Sequence, residues 1–460
     1  MSKRYPGGLI TKTPVVPTTS AASGVWTLDQ AITYIQAGTW PVPSVYWIGE
    51  LYGTVPNNTN GYSVALDSSN NVYFVGDNNS SGSNDIQIAK YNNSGVIQWQ
   101  KSLGGSNYEI GTDIAVDSSG NVYIVGSTNP GTGQFNFEIA KYNTSGTIQW
   151  QRSLGGANYE NGYGIAVSSS GNVYVIGRSN DSGIMDFELA KYDTSGTIQW
   201  QRKLSIGSGA SGNGIAVDSS ENVYITGTYG NLYVITAKYN TSGTIQWQRK
   251  IGDATNAFIG YGIAVDSSGN SYVCATISPT GNNDILVIKY DTSGVIQWQR
   301  SLSSANSENS QKIALDSSGN VYVIGYSNGS TGSIDYQIIK YNNSGTIQWQ
   351  RRLGAADGSN FYGYGIKVNA SGSMYIIGSS NVGNATPKFL FARLPSDGSF
   401  TGTYTVNGQS IIYGATSFTD AATSYNESAA TLTSSATTLT DAASSLTDSA
   451  SSLTSSVTSL

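Results

Sequence analysis

The chain has 460 residues, a formal net charge of −6 and an isoelectric point near 4.8, and only 11% of its residues are charged. It contains no histidine, which excludes Ser-His-Asp and Cys-His catalysis and every His-ligated metal or haem site. No basic run is present to neutralise phosphates, and no apolar run is long enough to span a membrane, so we expect neither partner. We also expect no metal and no cofactor.

Residues 1–44 form an amino-terminal arm that precedes the repeats described below. Prolines from Pro6 to Pro43 keep much of this arm extended, and apolar residues at helical spacing between Thr27 and Ala37 predict one short helix. The first charged residues are not followed by an apolar core of signal-peptide length, so export by the general secretory route is not expected. The arm either docks on another protein or packs on its own chain.

Residues 45–400 consist of a unit that recurs about every 50 residues. Each unit has four short runs of β-branched and aromatic residues, separated by Gly, Asn, Asp and Ser, and such runs predict β-strands joined by tight turns. The tyrosine of the second run stands at Tyr73, Tyr123, Tyr174, Tyr224, Tyr272, Tyr322 and Tyr375. Seven four-stranded units predict an all-β fold, a seven-bladed β-propeller.

A tryptophan marks the fourth run of six units and predicts how the ring closes. It stands at Trp99, Trp150, Trp200, Trp247, Trp298 and Trp349. Trp47 has the same spacing to the next second-run tyrosine, whereas the last unit has lost its tryptophan. We therefore expect the Trp47 strand to complete the last blade and leave no exposed edge. The alternative is that Ser399–Tyr404 completes that blade and the Trp47 strand adds outside it.

The acidic residues mostly recur with the unit and open the turn between the first and second runs. They are Asp67, Asp117, Asp218, Asp266 and Asp316. A residue repeated once per blade favours a structural role, and the alternative is a calcium site. Asn92 and Asn143 begin formal glycosylation sequons, which we interpret as turn residues. The single cysteine, Cys274, occupies a strand position and is expected to be buried.

The segment Ile-Ala-Val-Asp-Ser-Ser-Gly-Asn-Val-Tyr at residues 114–123, with a glycine at the end of the second strand, resembles the SBBP or β-propeller repeat family. The Asp-Thr-Ser-Gly-x-Ile-Gln-Trp segments also resemble the structural Asp-box hairpin of other propellers. These resemblances imply the propeller fold. Because propellers serve as enzymes, scaffolds and lectins, they do not select among these functions.

The candidate binding residues lie on the loops that lead from each outer strand to the next inner strand. They are Tyr108, Glu109, Tyr159, Glu160, Tyr163, Tyr261, Tyr362 and Tyr364. In a propeller such loops gather on one face around the central channel, and tyrosine rings and hydroxyls suit sugar binding. The alternative is that these tyrosines pack between the blades. No catalytic residues are assigned.

The carboxyl-terminal part changes character after the propeller. Residues 401–414 contain an Asn407-Gly408 pair that predicts a β-hairpin, and residues 415–460 are rich in Ser, Thr, Ala and Leu. Leucines seven residues apart stand at Leu432, Leu439, Leu446, Leu453 and Leu460. This heptad favours a coiled coil and hence a homo-oligomer, with disorder or another repetitive fold as alternatives. A trimer is implied only by resemblance to phage fibres.

The two termini carry a second resemblance. The segments at residues 24–31 and 37–41, Gly-Val-Trp-Thr-Leu-Asp-Gln-Ala and Ala-Gly-Thr-Trp-Pro, resemble the amino terminus of structural proteins of bacteriophages that infect aquatic bacteria, and the tail resembles their heptad endings. The resemblance implies a virion protein in the tail, a fibre or a capsid appendage. It would bind other virion proteins through its arm and attach to host-surface polysaccharide. The alternatives are a cellular carbohydrate-binding or scaffold propeller and, third, a polysaccharide-cleaving enzyme.

Overall fold

The computed structural model describes part of the second of two compact units, residues 1–45 and 46–460. The described residues are 46–52, 58–79, 83–129, 131, 133–156, 158–180, 183–205, 209–253, 255–279, 281–328, 333–381, 386–406, 409–416, 418–422, 427–429, 433–435, 440–442, 447–450 and 454–459. The amino-terminal arm and its predicted short helix lie outside them.

Seven antiparallel sheets form the blades of a β-propeller, as predicted. Blade 1 contains β2 (Thr59–Leu66), β3 (Val72–Asn78), β4 (Asp85–Tyr91) and β5 (Ile97–Gly104). Blade 2 contains β6 (Glu109–Val116), β7 (Val122–Thr128), β8 (Asn136–Tyr142) and β9 (Ile148–Gly155). Blade 3 contains β10 (Glu160–Val167), β11 (Val173–Ser179), β12 (Asp186–Tyr192) and β13 (Ile198–Ser205). Blade 4 contains β14 (Ala210–Val217), β15 (Val223–Tyr229), β16 (Tyr233–Tyr239) and β17 (Ile245–Gly252).

The remaining blades continue the same order of strands from the channel outwards. Blade 5 contains β18 (Ala257–Val265), β19 (Ser271–Ser278), β20 (Asp284–Tyr290) and β21 (Ile296–Ser303). Blade 6 contains β22 (Glu308–Leu315), β23 (Val321–Asn328), β24 (Ile334–Tyr341) and β25 (Ile347–Ala355). Blade 7 contains β26 (Phe361–Val368), β27 (Ser373–Ser380), β28 (Lys388–Pro395) and β1 (Trp47–Tyr52). The described part of the chain has no helix, so none there could cross a membrane.

The first strand of the described chain closes the ring. β1 pairs antiparallel with β28, with Trp47 opposite Arg393 and Leu51 opposite Phe389. Trp47 is fully buried, and its ring lies edge-on to Phe391 at 5.7 Å between centroids. The predicted closure is therefore confirmed. The alternative is wrong, because β29 (Gly402–Val406) lies in the sheet of blade 6 instead.

The outer-strand tryptophans connect neighbouring blades. Trp99 donates its Nε1–H to the carbonyl oxygen of Thr144, in the β8–β9 turn of the next blade, at 3.2 Å. Trp47 makes the equivalent contact with Asn93 of blade 1 at 3.4 Å. The turn residue that packs on the indole must be glycine. A Cβ at Gly146 would approach the Trp99 ring to 3.0 Å, and its φ of +77° disfavours other residues. Trp47 thus supplies this bond between blade 7 and blade 1, whereas the Nε1–H of Trp349 has no hydrogen-bond partner among the described residues.

The turns between the first and second strands of each blade, here called the lower turns, confirm the structural role of the repeated aspartates. Asp67 accepts hydrogen bonds from the backbone N–H groups of Ser69 and Asn71 at 2.9 Å, from the Asn71 side chain at 2.7 Å and from the Tyr73 hydroxyl at 2.9 Å. Asn92, in another turn of the same face, likewise accepts the N–H groups of Ser94 and Val96. The side chains of these turns are used in holding the backbone.

Blade 3 lacks the repeated aspartate, and the next blade replaces it. Ser168 stands at the aspartate position, and the carboxylate of Glu221 from blade 4 accepts hydrogen bonds from Ser170, from Asn172 at 3.1 Å and from the Tyr174 hydroxyl at 3.1 Å. Burial alone would raise the pKa of the Glu221 carboxyl, but these hydrogen bonds outweigh it and lower the pKa to about 2. The fold therefore keeps a carboxylate beside this tyrosine, from a different position in the sequence.

The carboxyl-terminal tail forms strands on the outer edges of the blades. β29 and β30 (Gln409–Ala415) pair antiparallel with Val406 opposite Gln409, as a hairpin requires, although Asn407 and Gly408 themselves lie outside the described residues. β30 also pairs with β25 of blade 6. Six short strands follow: β31 (Thr419–Ala422), β32 (Glu427–Ala429), β33 (Thr433–Ser435), β34 (Thr440–Ala442), β35 (Thr447–Ala450) and β36 (Thr454–Ser459). They pair in turn with the outer strands of blades 5, 4, 3, 2, 1 and 7. We call β31–β36 the belt.

The belt differs from the predicted coiled coil, which is not confirmed. The described residues of the tail are strands, and β33, β34, β35 and β36 begin seven residues apart, one for each successive blade. The heptad spacing therefore coincides with the step from one blade to the next. The five heptad leucines themselves lie outside the described residues.

Candidate binding site at the channel mouth

The innermost strand of every blade carries a β-bulge, and the bulged residues form a ring at one end of the central channel. In β10, for example, the pairing with β11 shifts between Gly162 and Gly164, which leaves Tyr163 as the extra residue. A bulge re-aims the side chain of its extra residue. The seven residues of this mouth ring are Tyr62, Thr112, Tyr163, Asn213, Tyr261, Gln311 and Tyr364.

Close packing between blades accounts for the glycine that precedes most of the bulged residues. A Cβ at Gly162 would lie 2.6 Å from Val125 and 2.7 Å from the carbonyl oxygen of Gly126, both in the preceding blade. No side chain fits there without moving the backbone. The bulge beside it then turns Tyr163 towards the channel.

The mouth ring and Lys312 line a cavity of about 230 Å³. Its tyrosines are half-buried, and Tyr62 and Tyr364 lie 5.4 Å apart between ring centroids. Burial raises the pKa of the Tyr261 hydroxyl to about 12 and also raises the pKa of Tyr163, so both are neutral hydrogen-bond donors near neutral pH. The guanidinium of Arg178 lies over the Tyr163 ring at 5.6 Å. This cavity offers apolar faces, hydroxyls, the ammonium of Lys312 and the nearby guanidinium of Arg178.

Further aromatic rings extend from the mouth ring across the same face. Phe135 lies 6.0 Å from Tyr108 and 6.3 Å from Tyr159 on one side. On the other side Tyr362 lies 6.3 Å from Tyr364 in a parallel stack and 5.1 Å from Tyr326. We call these rings together with Tyr62 the aromatic arc. Tyr108 and Tyr159 are its most exposed members, with 40% and 42% of their surface accessible.

A buried carboxyl group connects the two halves of the arc. Asp77 of β3 accepts a hydrogen bond from the Asn84 side chain at 2.6 Å and is 2% exposed. Burial raises the pKa of the Asp77 carboxyl to about 6, although hydrogen bonds from Asn60 and Tyr62 act in the opposite direction. Its charge contributes to raising the pKa of both Tyr62 and Tyr108. Asp77 therefore lies close to both phenols.

The structure brings the eight predicted site residues to one face but gives them different roles. Tyr163, Tyr261 and Tyr364 belong to the mouth ring, and Tyr108, Tyr159 and Tyr362 belong to the aromatic arc, which Tyr364 joins to the ring. Tyr163, Tyr261 and Tyr364 are half-buried, whereas Tyr108 and Tyr159 are exposed.

Glu109 and Glu160 face the loops instead of the cavity. Glu109 is 1% exposed, and its carboxylate accepts hydrogen bonds from the Gly105 N–H at 3.0 Å and from the Thr128 hydroxyl at 3.2 Å. Glu160 accepts the Gly156 N–H at 3.0 Å in the same way. These carboxylates hold the backbone of the loops that carry Tyr108 and Tyr159.

Several residues of this face were not predicted from the sequence. Tyr62 follows a glycine as Tyr163 does, so the repeat alignment contained a signal for it. Phe135, Arg178 and Tyr326 lie on loops or strand ends where the units differ, and nothing in their spacing relates them to the channel. Lys312 occupies a position held by glycine in four other blades. Such a departure from the repeat is a usable signal for a residue in the channel.

No curated protein sequence gives a significant match. A solved structure of a protein of unknown function from Dyadobacter fermentans aligns over 77% of this chain and 100% of its own, with 8% identity and a TM-score of 0.44. Sqt1 from Chaetomium thermophilum aligns over 74% of this chain and 97% of its own, with 10% identity and a TM-score of 0.39.

A third solved structure, described as a PL25 ulvan lyase from a new family of polysaccharide lyases, covers 74% of this chain and 95% of its own. Its identity is 10% and its TM-score is 0.48. At the level of sequence families, the SBBP beta-propeller repeat matches residues 98–130, 149–184, 199–233, 246–278 and 302–331. The chain therefore contains five SBBP beta-propeller repeats within its seven-bladed ring.

Proposed function

We propose that this protein is a non-catalytic, carbohydrate-binding propeller of a bacteriophage virion, which attaches the particle to polysaccharide on the host surface. The single observation that carries the binding part is the aromatic arc around the cavity at the channel mouth. Aromatic faces cover the apolar side of a pyranose ring, and neutral phenol hydroxyls meet its polar edge. The virion part is supported by the resemblance of the two termini to phage structural proteins.

The arc suits a chain of sugars better than one isolated monosaccharide. The mouth cavity of about 230 Å³ is small, whereas Tyr108, Phe135 and Tyr159 continue the apolar surface away from it. The exposure of Tyr108 and Tyr159 leaves their faces free for further residues of the same polymer. Separate weak contacts along one polymer add up to useful avidity.

The binding part is tested on an array of bacterial surface polysaccharides with the full chain and with Tyr108→Ala and Tyr159→Ala. We expect the wild type to bind saturably and each variant to bind about tenfold more weakly, which corresponds to about 1.4 kcal/mol for one aromatic contact. The matched control is Val96→Thr, which changes an exposed side chain on the lower face to the residue found at Thr147. Equal binding by all four proteins contradicts the proposal.

Two further measurements separate the alternatives. Mass spectrometry of purified virions should detect the protein, and its absence favours a cellular carbohydrate-binding or scaffold propeller. Incubation with a bound polysaccharide should leave the polymer length unchanged on size-exclusion chromatography. Shortened chains would instead favour a polysaccharide-cleaving enzyme, for which the carboxyl group of Asp77 is the first residue to replace.

A further inference from the structure

Beyond the mouth ring, the central channel is lined by the charged residues Asp113, Lys312 and Lys367, of which Lys312 also lines the mouth cavity. Lys312 of blade 6 and Asp113 of blade 2 form an ion pair across the channel, with 3.1 Å between Nζ and Oδ2. Asp113 also accepts hydrogen bonds from the Ser63 hydroxyl and, at 3.1 Å, from the backbone N–H of Ile165. Its carboxylate is therefore fully engaged.

A second cavity of about 460 Å³ lies along the channel below this ion pair. One ring of its lining is made by the residue three positions after each bulge, which is alanine in six blades: Ala65, Ala115, Ala166, Ala216, Ala264 and Ala314. In blade 7 the same position is Lys367, which pairs with Tyr375 as Ala65 pairs with Tyr73. A single ammonium thus projects from a ring that is otherwise apolar.

Lys367 has no hydrogen bond or ion pair among the residues that the structure describes. Its side chain is exposed to the channel. Desolvation by the surrounding protein lowers the pKa of its ammonium, and the charge of Asp113 acts in the opposite direction. The charged residues that line this cavity are Lys312, Lys367 and Asp113, so their formal charges sum to +1. Apolar walls focus the field of such a charge, since they screen it less than water does.

We propose that this lower cavity binds one small oxyanion of the sulfate or phosphate type, held by the ammonium groups of Lys367 and Lys312. A lysine ammonium forms charge-assisted hydrogen bonds with oxyanions, and two such groups line this one cavity. This site is separate from the proposed sugar site, because the Asp113–Lys312 pair lies between the lower cavity and the mouth cavity along the strands.

The test is isothermal titration calorimetry of sodium sulfate into the full-length protein. We expect saturable binding of one sulfate to the wild type and at least a tenfold loss of affinity in Lys367→Ala and Lys367→Met. Lys367→Ala installs the residue of the other six blades, so we expect it to fold normally, and Lys367→Met keeps the length of the side chain without its charge.

The matched control is Lys90→Ala, which removes the same charge outside the channel lining. It should bind sulfate like the wild type. Unchanged affinity in both Lys367 variants, an equal loss in Lys90→Ala, or no saturable binding by the wild type overturns the proposal. Tyr108→Ala should keep sulfate binding while losing polysaccharide binding, so a failure of either proposed site is recognisable without the other.

Discussion

The lower turns and the mouth ring lie at opposite ends of the same seven innermost strands, but they follow the repeat to different degrees. Five lower turns keep the same aspartate, and a sixth recovers a carboxylate from the neighbouring blade through Glu221. The mouth ring instead contains four tyrosines, a threonine, an asparagine and a glutamine. The constant end holds the fold, and the variable end is the part of each blade that can be adapted to a ligand.

The belt, like the lower turns, holds the fold. Its removal should have the largest effect. A variant ending at Ala415 keeps β30 but exposes the outer strands of the six blades that the belt covers. Unpaired strand edges associate with one another, so we expect this variant to aggregate at micromolar concentration while the full chain is monomeric. We also expect its free energy of unfolding to fall by on the order of 5 kcal/mol.

Analytical ultracentrifugation of both proteins measures this difference. If the tail formed the coiled coil predicted from its heptads, the opposite result is expected. The full chain would be an oligomer and the shortened chain a monomer. That result would show that the tail joins chains together instead of covering the blades.

Removal of one lower-turn aspartate should have the next largest effect. Asp117 accepts hydrogen bonds from the backbone N–H groups of Ser119 and Asn121 and from the hydroxyl of Tyr123, which is fully buried. Asp117→Ala leaves these donors unpaired, and we expect it to lower the free energy of unfolding by about 3 kcal/mol in urea denaturation. Polysaccharide binding should not change. The control Ser118→Ala, at an exposed neighbour, should stay within about 0.5 kcal/mol.

Glu221 allows a sharper test of the same idea, with a smaller effect. Glu221→Ala should cost about 2 kcal/mol, because Tyr174 and Asn172 lose their acceptor. The double variant Ser168→Asp with Glu221→Gly recreates the turn of the other blades and relieves the φ of +61° at residue 221. We expect it to recover most of the loss. If it is no more stable than Glu221→Ala, the carboxylate is not what blade 3 requires.

The loops that lead into the innermost strands, on the face of the mouth ring, should show the smallest effect, through pH. Burial raises the pKa of the Glu308 carboxyl to about 7, partly offset by hydrogen bonds from Ser304. Because the folded state then holds this proton more tightly than the unfolded state, the contribution of Glu308 to stability falls as pH rises from about 4.5 to about 7.

Glu308→Gln keeps an acceptor for the Ser304 N–H without the charge. Relative to the wild type, it should gain about 1 kcal/mol of stability between pH 4.5 and pH 8. Urea denaturation at several pH values measures the difference. A constant difference across this range would mean that Glu308 does not titrate there.

The fold was predictable from the sequence because each strand and turn is specified about seven times. The spacing of Trp47 even predicted its partner strand, although the two lie more than 330 residues apart. The tail was interpreted less well, since one leucine in seven residues fits both a coiled-coil seam and a strand at each blade. Its many β-branched threonines favour strands, which was the available signal.

The candidate site was predictable only in part. Tyr163, Tyr261 and Tyr364 could be placed near the channel because loops of one kind gather on one face. The bulges that make them neighbours depend on how closely each blade approaches the next, and no single unit contains that information. Glu109 was misplaced because a carboxylate beside an exposed tyrosine resembles a ligand contact, whereas here it holds its own loop.

The belt also determines how the molecule responds to mechanical force. Each of its strands bonds to a different blade and is only three to six residues long. Tension applied beyond β36 therefore loads a few hydrogen bonds at a time and peels the belt from blade 7, then blade 1, and so on around the ring. The tail can lengthen stepwise under low force while the ring closed by β1 and β28 stays intact.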